Sequence, residues 1–178
     1  MLPPLVERAL ELSERAGFTR SCSPETGALL QVLAGQRGRT RVAEIGTGCG
    51  VGSAWILSTL DPGVPFVTVE LDAERAAAAA ELLAGDAQAT VLHGDWREVL
   101  AGEAPFDLLF ADGGKAKYDD ELISLLAPGG TLVLDDLTPG YSKPDPVREL
   151  WLAHPQLAAV EMQISAREVV IVGTLQPR

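Results

Sequence analysis

Cysteine and histidine are nearly missing from this chain. Cys22 and Cys49 are the only thiols. Two cysteines, one of them inside a glycine-rich stretch, do not make a disulfide framework and fit a reducing compartment. His93 and His154 are the only imidazoles, and neither has a companion at metal-ligand spacing. There is no Ser-His-Asp order, no C-x-x-C and no phosphate-binding P-loop. Basic residues are the minority: 14 Lys and Arg stand against 25 Asp and Glu, for a net charge of -11. A broadly acidic surface disfavours a phosphate backbone, so nucleic acid is not an expected partner. No apolar run approaches the roughly 18–20 residues of a membrane span. The start, Met1–Arg8, has no basic segment followed by an apolar core, so the expectation is a cytoplasmic protein without a signal peptide or membrane contact. Aromatics are also few, at 5%.

What remains is the composition of a soluble globular protein, and 178 residues suffice for one domain with a sizeable core but not for two. A single domain over 1–178 is expected. Apolar residues at helical spacing predict a helix over 4–16, with Gly17 as its stop. Residues 1–20 therefore offer one helix, a candidate substrate lid or homodimer contact. Ser23-Pro24-Glu25 reads as N-cap, first-turn proline and first-turn acid, opening a helix to about Leu33. Strands then alternate with helices. The strands are Arg41–Ile45, Pro65–Glu70, Ala89–Leu92, Phe106–Ala111 and Thr131–Leu134; the helices are Gly50–Leu60, Ala73–Ala84, Trp96–Leu100 and Lys117–Leu126. Pro128-Gly129-Gly130 reads as a tight turn. After a helix over Pro146–Ala153, Leu157–Ile164 and Val169–Leu175 are joined by too short a link for anything but an antiparallel hairpin. The expected fold is α/β: a Rossmann-like, doubly wound, seven-stranded sheet, mainly parallel, with a C-terminal antiparallel hairpin. Ligands of such sheets sit beyond the carboxyl ends of the strands.

Val42-Ala-Glu-Ile-Gly-Thr-Gly-Cys-Gly-Val-Gly-Ser53 carries the most information. It reads as strand, glycine turn and helix start, where glycine permits positive φ and lets a ligand meet bare backbone. Glu70 lies twenty positions past Gly50 at the end of the next strand, placed to hold a ribose diol. A nucleoside cofactor follows. The third position of a dinucleotide fingerprint is Ser53 rather than glycine, and Glu44 beside the turn would repel phosphate but attract a sulfonium or ammonium. That favours S-adenosylmethionine over NAD. Asp112 follows one strand and Asp135-Asp136 follow its expected neighbour, so three carboxylates converge at one edge of the cleft. Such hard oxygen ligands suit Mg²⁺ first, with Ca²⁺ or Mn²⁺ as alternatives. Trp55 and Trp151 sit at helical apolar spacing and are expected in the core.

The same residues resemble motif I of the class I S-adenosylmethionine-dependent methyltransferases. Ser23–Leu30, Glu44–Gly48, Val69-Glu70, Gly94-Asp95, Asp112-Gly-Gly-Lys-Ala-Lys-Tyr118 and Gly129–Asp136 together resemble the metal-dependent O-methyltransferases of catechol and caffeoyl-CoA type and their bacterial relatives. That resemblance implies transfer of a methyl group to a hydroxyl of a small, catechol-like or vicinal-diol acceptor. It implies a cofactor lined by Glu44, Gly46, Thr47, Gly48, Gly50 and Ser53, by Glu70 with Leu71, and by Gly94, Asp95, Trp96 and Asp112. Asp95 and Trp96 would border the adenine. Asp112, Asp135 and Asp136 would hold the metal, with Asp136 standing where the family usually has Asn. Lys115 would be the base, working beside Asp112; Lys117 is close to it in sequence, and Tyr118 packs or supports the site. The family usually has serine at the position of Gly52, so either Ser53 or backbone N–H groups would meet the methionine carboxylate. Three rivals stay open: a methyltransferase acting on a tRNA base hydroxyl, a non-catalytic S-adenosylmethionine-binding protein, and an NAD-dependent oxidoreductase, the last needing a substrate module that a chain of this length lacks.

Overall fold

The computed structural model describes residues 2–141 and 143–177. Seven strands form one sheet: β1 (Val42–Ile45), β2 (Phe66–Glu70), β3 (Ala89–His93), β4 (Phe106–Ala111), β5 (Leu126–Leu137), β6 (Leu157–Gln163) and β7 (Val169–Leu175). Their spatial order is β3-β2-β1-β4-β5-β7-β6. The first five run parallel, and β7 is inserted antiparallel between β5 and β6. The order reverses between β1 and β4, the point at which sheets of this kind bind ligands beyond their strand ends.

Among the described residues there are six α-helices: α1 (Pro4–Arg15), α2 (Pro24–Ala34), α3 (Val51–Leu57), α4 (Ala73–Leu83), α5 (Trp96–Val99) and α6 (Pro146–Leu152). One core lies under α1, α2 and α3, where Val6, Leu30 and Ile56 meet Val42, Phe66, Phe110 and Val133. The opposite face of the sheet packs Ile45, Val69, Leu109 and Leu134 against Trp96, Leu122 and Trp151. Because strand side chains alternate, Glu44, Thr68, Glu70 and Asp135 share the face of Val42, Phe66 and Val133. That parity sends polar groups toward α3 and the cleft. The N-terminal helix, expected as a lid or dimer contact, buries Val6 and Ala9 completely and packs on α3. No helix among the described residues is long and apolar enough to cross a membrane.

Four expectations are corrected. The helix expected over Lys117–Leu126 is two 3-10 turns, Ala116–Tyr118 and Asp120–Leu125. Asp119 between them is extended and its carboxylate accepts the Glu121 N–H at 2.9 Å, so a fresh cap interrupts the helix. Pro128-Gly129-Gly130 is not a separate turn but part of β5: Leu126 pairs with Phe106 and Thr131 with Leu108, and the surplus residues form an irregularity that Gly129, at φ 79°, accommodates. Asp135 and Asp136 do not follow the strand either. They occupy a second irregularity inside β5, between Leu134 and Leu137, and Asp136 has φ 60°. Gly50, expected as a helix start, is the left-handed N-cap of α3 at φ 84°.

Gly27 of α2 tests the packing of the helical face. A Cβ there would overlap the Trp55 indole, which is itself nearly buried. Overpacking of this kind costs about 1–3 kcal/mol. Gly27→Ala should therefore lower the melting temperature by several degrees in calorimetry, whereas Gly85→Ala, with open space around its Cβ, should not.

Candidate functional site

The glycine turn leaves β1 at Ile45 with Gly46 at φ 94° and Gly48 at φ 54°, conformations that L side chains rarely adopt. A Cβ on Gly46 would lie 2.6 Å from the Gly113 nitrogen, so the turn is pressed against the loop leaving β4. The Gly48 N–H donates to Glu70 Oε2 at 2.8 Å, tying the turn to the end of β2. Thr47 faces away and shares a hydrogen bond of 2.6 Å with Thr68.

Glu44 lies fully buried behind this turn. Its Oε2 accepts from the Ser53 hydroxyl, and from Thr68 Oγ1 at 2.8 Å, while Oε1 meets no donor. Burial raises its carboxyl to about 7, against the pull of the Ser53 and Thr68 hydrogen bonds, with the Asp135 and Glu70 charges adding to the rise. Glu44 Oε1 fills the space that any Cβ on Gly52 would need. That accounts for glycine at the position where the resembling family usually has serine. Glu44, Thr47, Gly50 and Ser53 therefore form the turn's support, and none of the four lines the cavity in front of it.

That cavity has a volume of about 440 Å³ and is bounded by Gly46, Gly48, Glu70, Leu71, Gly94, Asp95, Trp96 and Asp112, eight residues singled out by sequence. Lys115 is an exposed part of the same wall. Phe18, Arg20, Arg75 and Arg97 line it as well and were not foreseen. Arg75 Nη2 donates to Glu70 Oε1 at 2.9 Å, and its guanidinium lies 5.4 Å from the Phe18 ring centroid. Glu70 Oε1 also accepts the Asp72 N–H at 2.9 Å, so this carboxylate is already well supplied with donors. Asp95 caps α5, accepting the Arg97 N–H at 3.0 Å, and Arg97 lies 4.6 Å over the Trp96 ring. The sequence signal for Arg75 was its place in the first turn of the helix after Glu70. Nothing local marked Phe18, which is distant in sequence.

Asp112, Asp135 and Asp136 each offer a carboxylate oxygen, all within 4.8 Å of one another. Asp135 is fully buried and no donor reaches either of its oxygens. Burial, then the Asp136 and Glu44 charges, pushes Asp112 up to about 8; burial and the Asp112 and Asp136 charges push Asp135 upward too. Orphaned buried oxygens in an all-oxygen set fit a hard divalent cation, which would supply the missing partner. Beside them is a buried lysine, and it is Lys117, not Lys115: its Nζ donates to the Asp135 carbonyl at 2.8 Å and stands 3.8 Å from Asp136 Oδ2. Which lysine of the Lys-Ala-Lys run turns inward depends on the 3-10 turn. Tyr118 next to it is exposed. A second, open cavity of about 700 Å³ begins at Asp136 and is bounded by Ser21, Ser23, Thr138, Arg167 and Glu168 among others. Glu168, on the β6–β7 link, accepts from the Ser23 hydroxyl and from Thr26 Oγ1 at 2.9 Å, holding the hairpin against α2.

The profile of a family described as methyltransferase domain matches residues 43–137. A Mycobacterium avium protein named "Putative O-methyltransferase" is 30% identical over 149 residues, which are 79% of this chain and 65% of that protein. The chain thus spans a little under two thirds of that relative's length. Cofactor-bound Rv0187 from MTB superposes with a TM-score of 0.84 at 27% identity, over 99% of this chain and 92% of that one. An O-methyltransferase from Bacillus cereus in complex with SAH superposes at 0.83, with 22% identity over 99% and 92% of the two chains; at that identity it shows the fold.

The raised carboxyl of Glu44 has a stability consequence. The fold binds this proton more tightly than the unfolded chain does, so the contribution is complete below about pH 4.5 and is lost as pH rises through about 7. Glu44→Gln, which mimics the protonated acid, should flatten the decline of melting temperature between about pH 5 and about pH 8, by a difference on the order of 3 kcal/mol. An unchanged slope in thermal melts would contradict this.

Proposed function

Because the chain belongs to the methyltransferase-domain family, we propose that it transfers the methyl group of S-adenosylmethionine to a hydroxyl oxygen of a small acceptor, with a divalent cation on Asp112, Asp135 and Asp136. The observation that carries this reading is the meeting of two cavities at one residue: Asp136 borders both the glycine-turn cavity and the hydroxyl-rich cavity beside it. A methyl donor in the first would face an acceptor in the second across the acidic cluster. The cofactor-bound Rv0187 neighbour, at 27% identity, supports a cofactor in the first cavity.

In this reading Glu70 accepts from the ribose diol, sharing its oxygens with Gly48 and Arg75, and the bare backbone of Gly46 and Gly48 lies along the methionine portion. Asp95 and Trp96 border the adenine. Asp112, Asp135 and Asp136 would hold a divalent cation, which would supply Lewis acidity that lowers the pKa of the reacting hydroxyl. The S–CH₃ bond breaks as the O–CH₃ bond forms, and the hydroxyl proton is taken up by Lys115 on the adjoining wall, acting as a free amine. The products are S-adenosylhomocysteine and a methyl ether. Asp112, Asp135 and Asp136 contribute orientation and fixed charge, the two largest levers for an in-line transfer. A vicinal diol, catechol-like or otherwise, fits a chelating site, and the acidic surface favours a small acceptor over tRNA.

Two measurements test the proposal. Calorimetry should find S-adenosylhomocysteine bound and NAD not bound, and Glu70→Gln should weaken the former by roughly tenfold or more, as for loss of charge-assisted hydrogen bonds. Methyl transfer to a vicinal-diol panel should fall to background in EDTA and return with added Mg²⁺; activity indifferent to EDTA would remove the metal from the reaction.

A further inference from the structure

Lys117 is the one buried lysine among the described residues. Burying an ammonium group is costly unless it is paired. The 3-10 turn nevertheless turns it inward, with Ala116 buried beside it and Tyr118 exposed. Its backbone is pinned from the other side, where the fully buried Trp151 donates its indole N–H to the Lys117 carbonyl at 2.7 Å. Lys117 lines neither cavity, so it does not touch cofactor or acceptor. What it faces is the irregular stretch of β5: the Asp135 carbonyl at 2.8 Å and the Asp136 carboxylate at 3.8 Å.

Three carboxylates within 4.8 Å of one another, all ionised once they hold a cation, would carry one more negative charge than a divalent cation cancels. Asp136 is the source of the surplus, since an amide at that position would leave a doubly charged pair. We propose that Lys117 is the charge-setting residue of the cation site: its fixed ammonium offsets the surplus charge, so the site matches a divalent ion and discriminates against a trivalent one. The Nζ bond to the Asp135 carbonyl keeps that charge in place without making lysine a ligand. Lys117 is thus a positioning residue that acts through the acidic cluster. The inference rests on the metal reading given above.

The test measures ion binding rather than turnover, in the full chain without acceptor. Mn²⁺ is followed by electron paramagnetic resonance and Tb³⁺ by luminescence. Removing a fixed positive charge strengthens binding in proportion to the charge of the ion, so Lys117→Met and Lys117→Gln should each bind Mn²⁺ about tenfold more tightly and Tb³⁺ by a larger factor. Lys117→Arg should keep the Tb³⁺ to Mn²⁺ affinity ratio of the unaltered protein. If Lys117 merely propped the Asp135 carbonyl, both ions would weaken together and the ratio would stay put; that result, in folded variants, overturns the proposal. Should the Met variant fail to fold, the Gln variant retains a donor for the carbonyl and carries the measurement. Binding of both ions by the unaltered protein with no shift in ratio defeats the Lys117 assignment alone. Binding of neither ion defeats the metal reading, and this inference with it.

Discussion

Buried negative charge is the constraint around which this structure is organised. Strand parity points Glu44 and Asp135 toward the same side of the sheet, and both side chains are fully buried. A carboxylate in that setting must find hydrogen bonds, a proton or a cation. Glu44 takes the first two: hydroxyls from Ser53 and Thr68, and a carboxyl raised to about 7. The Asp135 carboxylate takes neither hydroxyl nor amide, and the nearest cation is Lys117, bonded to its carbonyl. The two acids sit in the same sheet with opposite solutions, one supporting the glycine turn and the other buried within the acidic cluster.

The division bears on how much could be read from the chain. The strands from Val42 to Leu134 were legible because each apolar run is bounded by glycine, proline or an acidic residue. Glu70 and Asp112 were legible because residues ending parallel strands face the ligand cleft of such sheets. Glu44 and Ser53 were identified as polar groups of the turn, but sequence position could not say whether they face the cavity or its back. A shift of one residue in register decides that. The helix over Lys117–Leu126 failed for a local reason. Asp119 and Asp120 compete with the backbone for hydrogen bonds, and the cap at Asp119 breaks the segment in two. Lys117 was unreadable for the same reason, since only the 3-10 turn sends it inward and leaves Lys115 exposed.

The strand β5 shows how a local irregularity becomes part of a site. An unbroken strand would place Asp135 and Asp136 on opposite faces. The irregularity between Leu134 and Leu137, with Asp136 at φ 60°, brings both carboxylates to Asp112. Aspartate tolerates that backbone better than most residues, so one residue meets two needs, a left-handed turn and an acidic group in the cluster. Bulges near ligand sites commonly re-aim side chains in this way.

That arrangement also explains why the antiparallel edge matters to a cleft formed by parallel strands. The irregular part of β5 pairs with β7, where Leu134 meets Ile171 and Leu137 meets Val169. The link before β7 carries Glu168, which is held by Ser23 and Thr26 at the start of α2. Helix α2 packs in turn on α3, whose N-cap is the last glycine of the turn. A continuous chain of contacts therefore runs from the acidic cluster through the hairpin and two helices back to the glycine turn. The two halves of the cleft are far apart in sequence, yet neither can shift without straining a hydrogen bond or a packed face of the other. The distance between Glu70 and Asp135 is then a property of the whole sheet whose strands carry them.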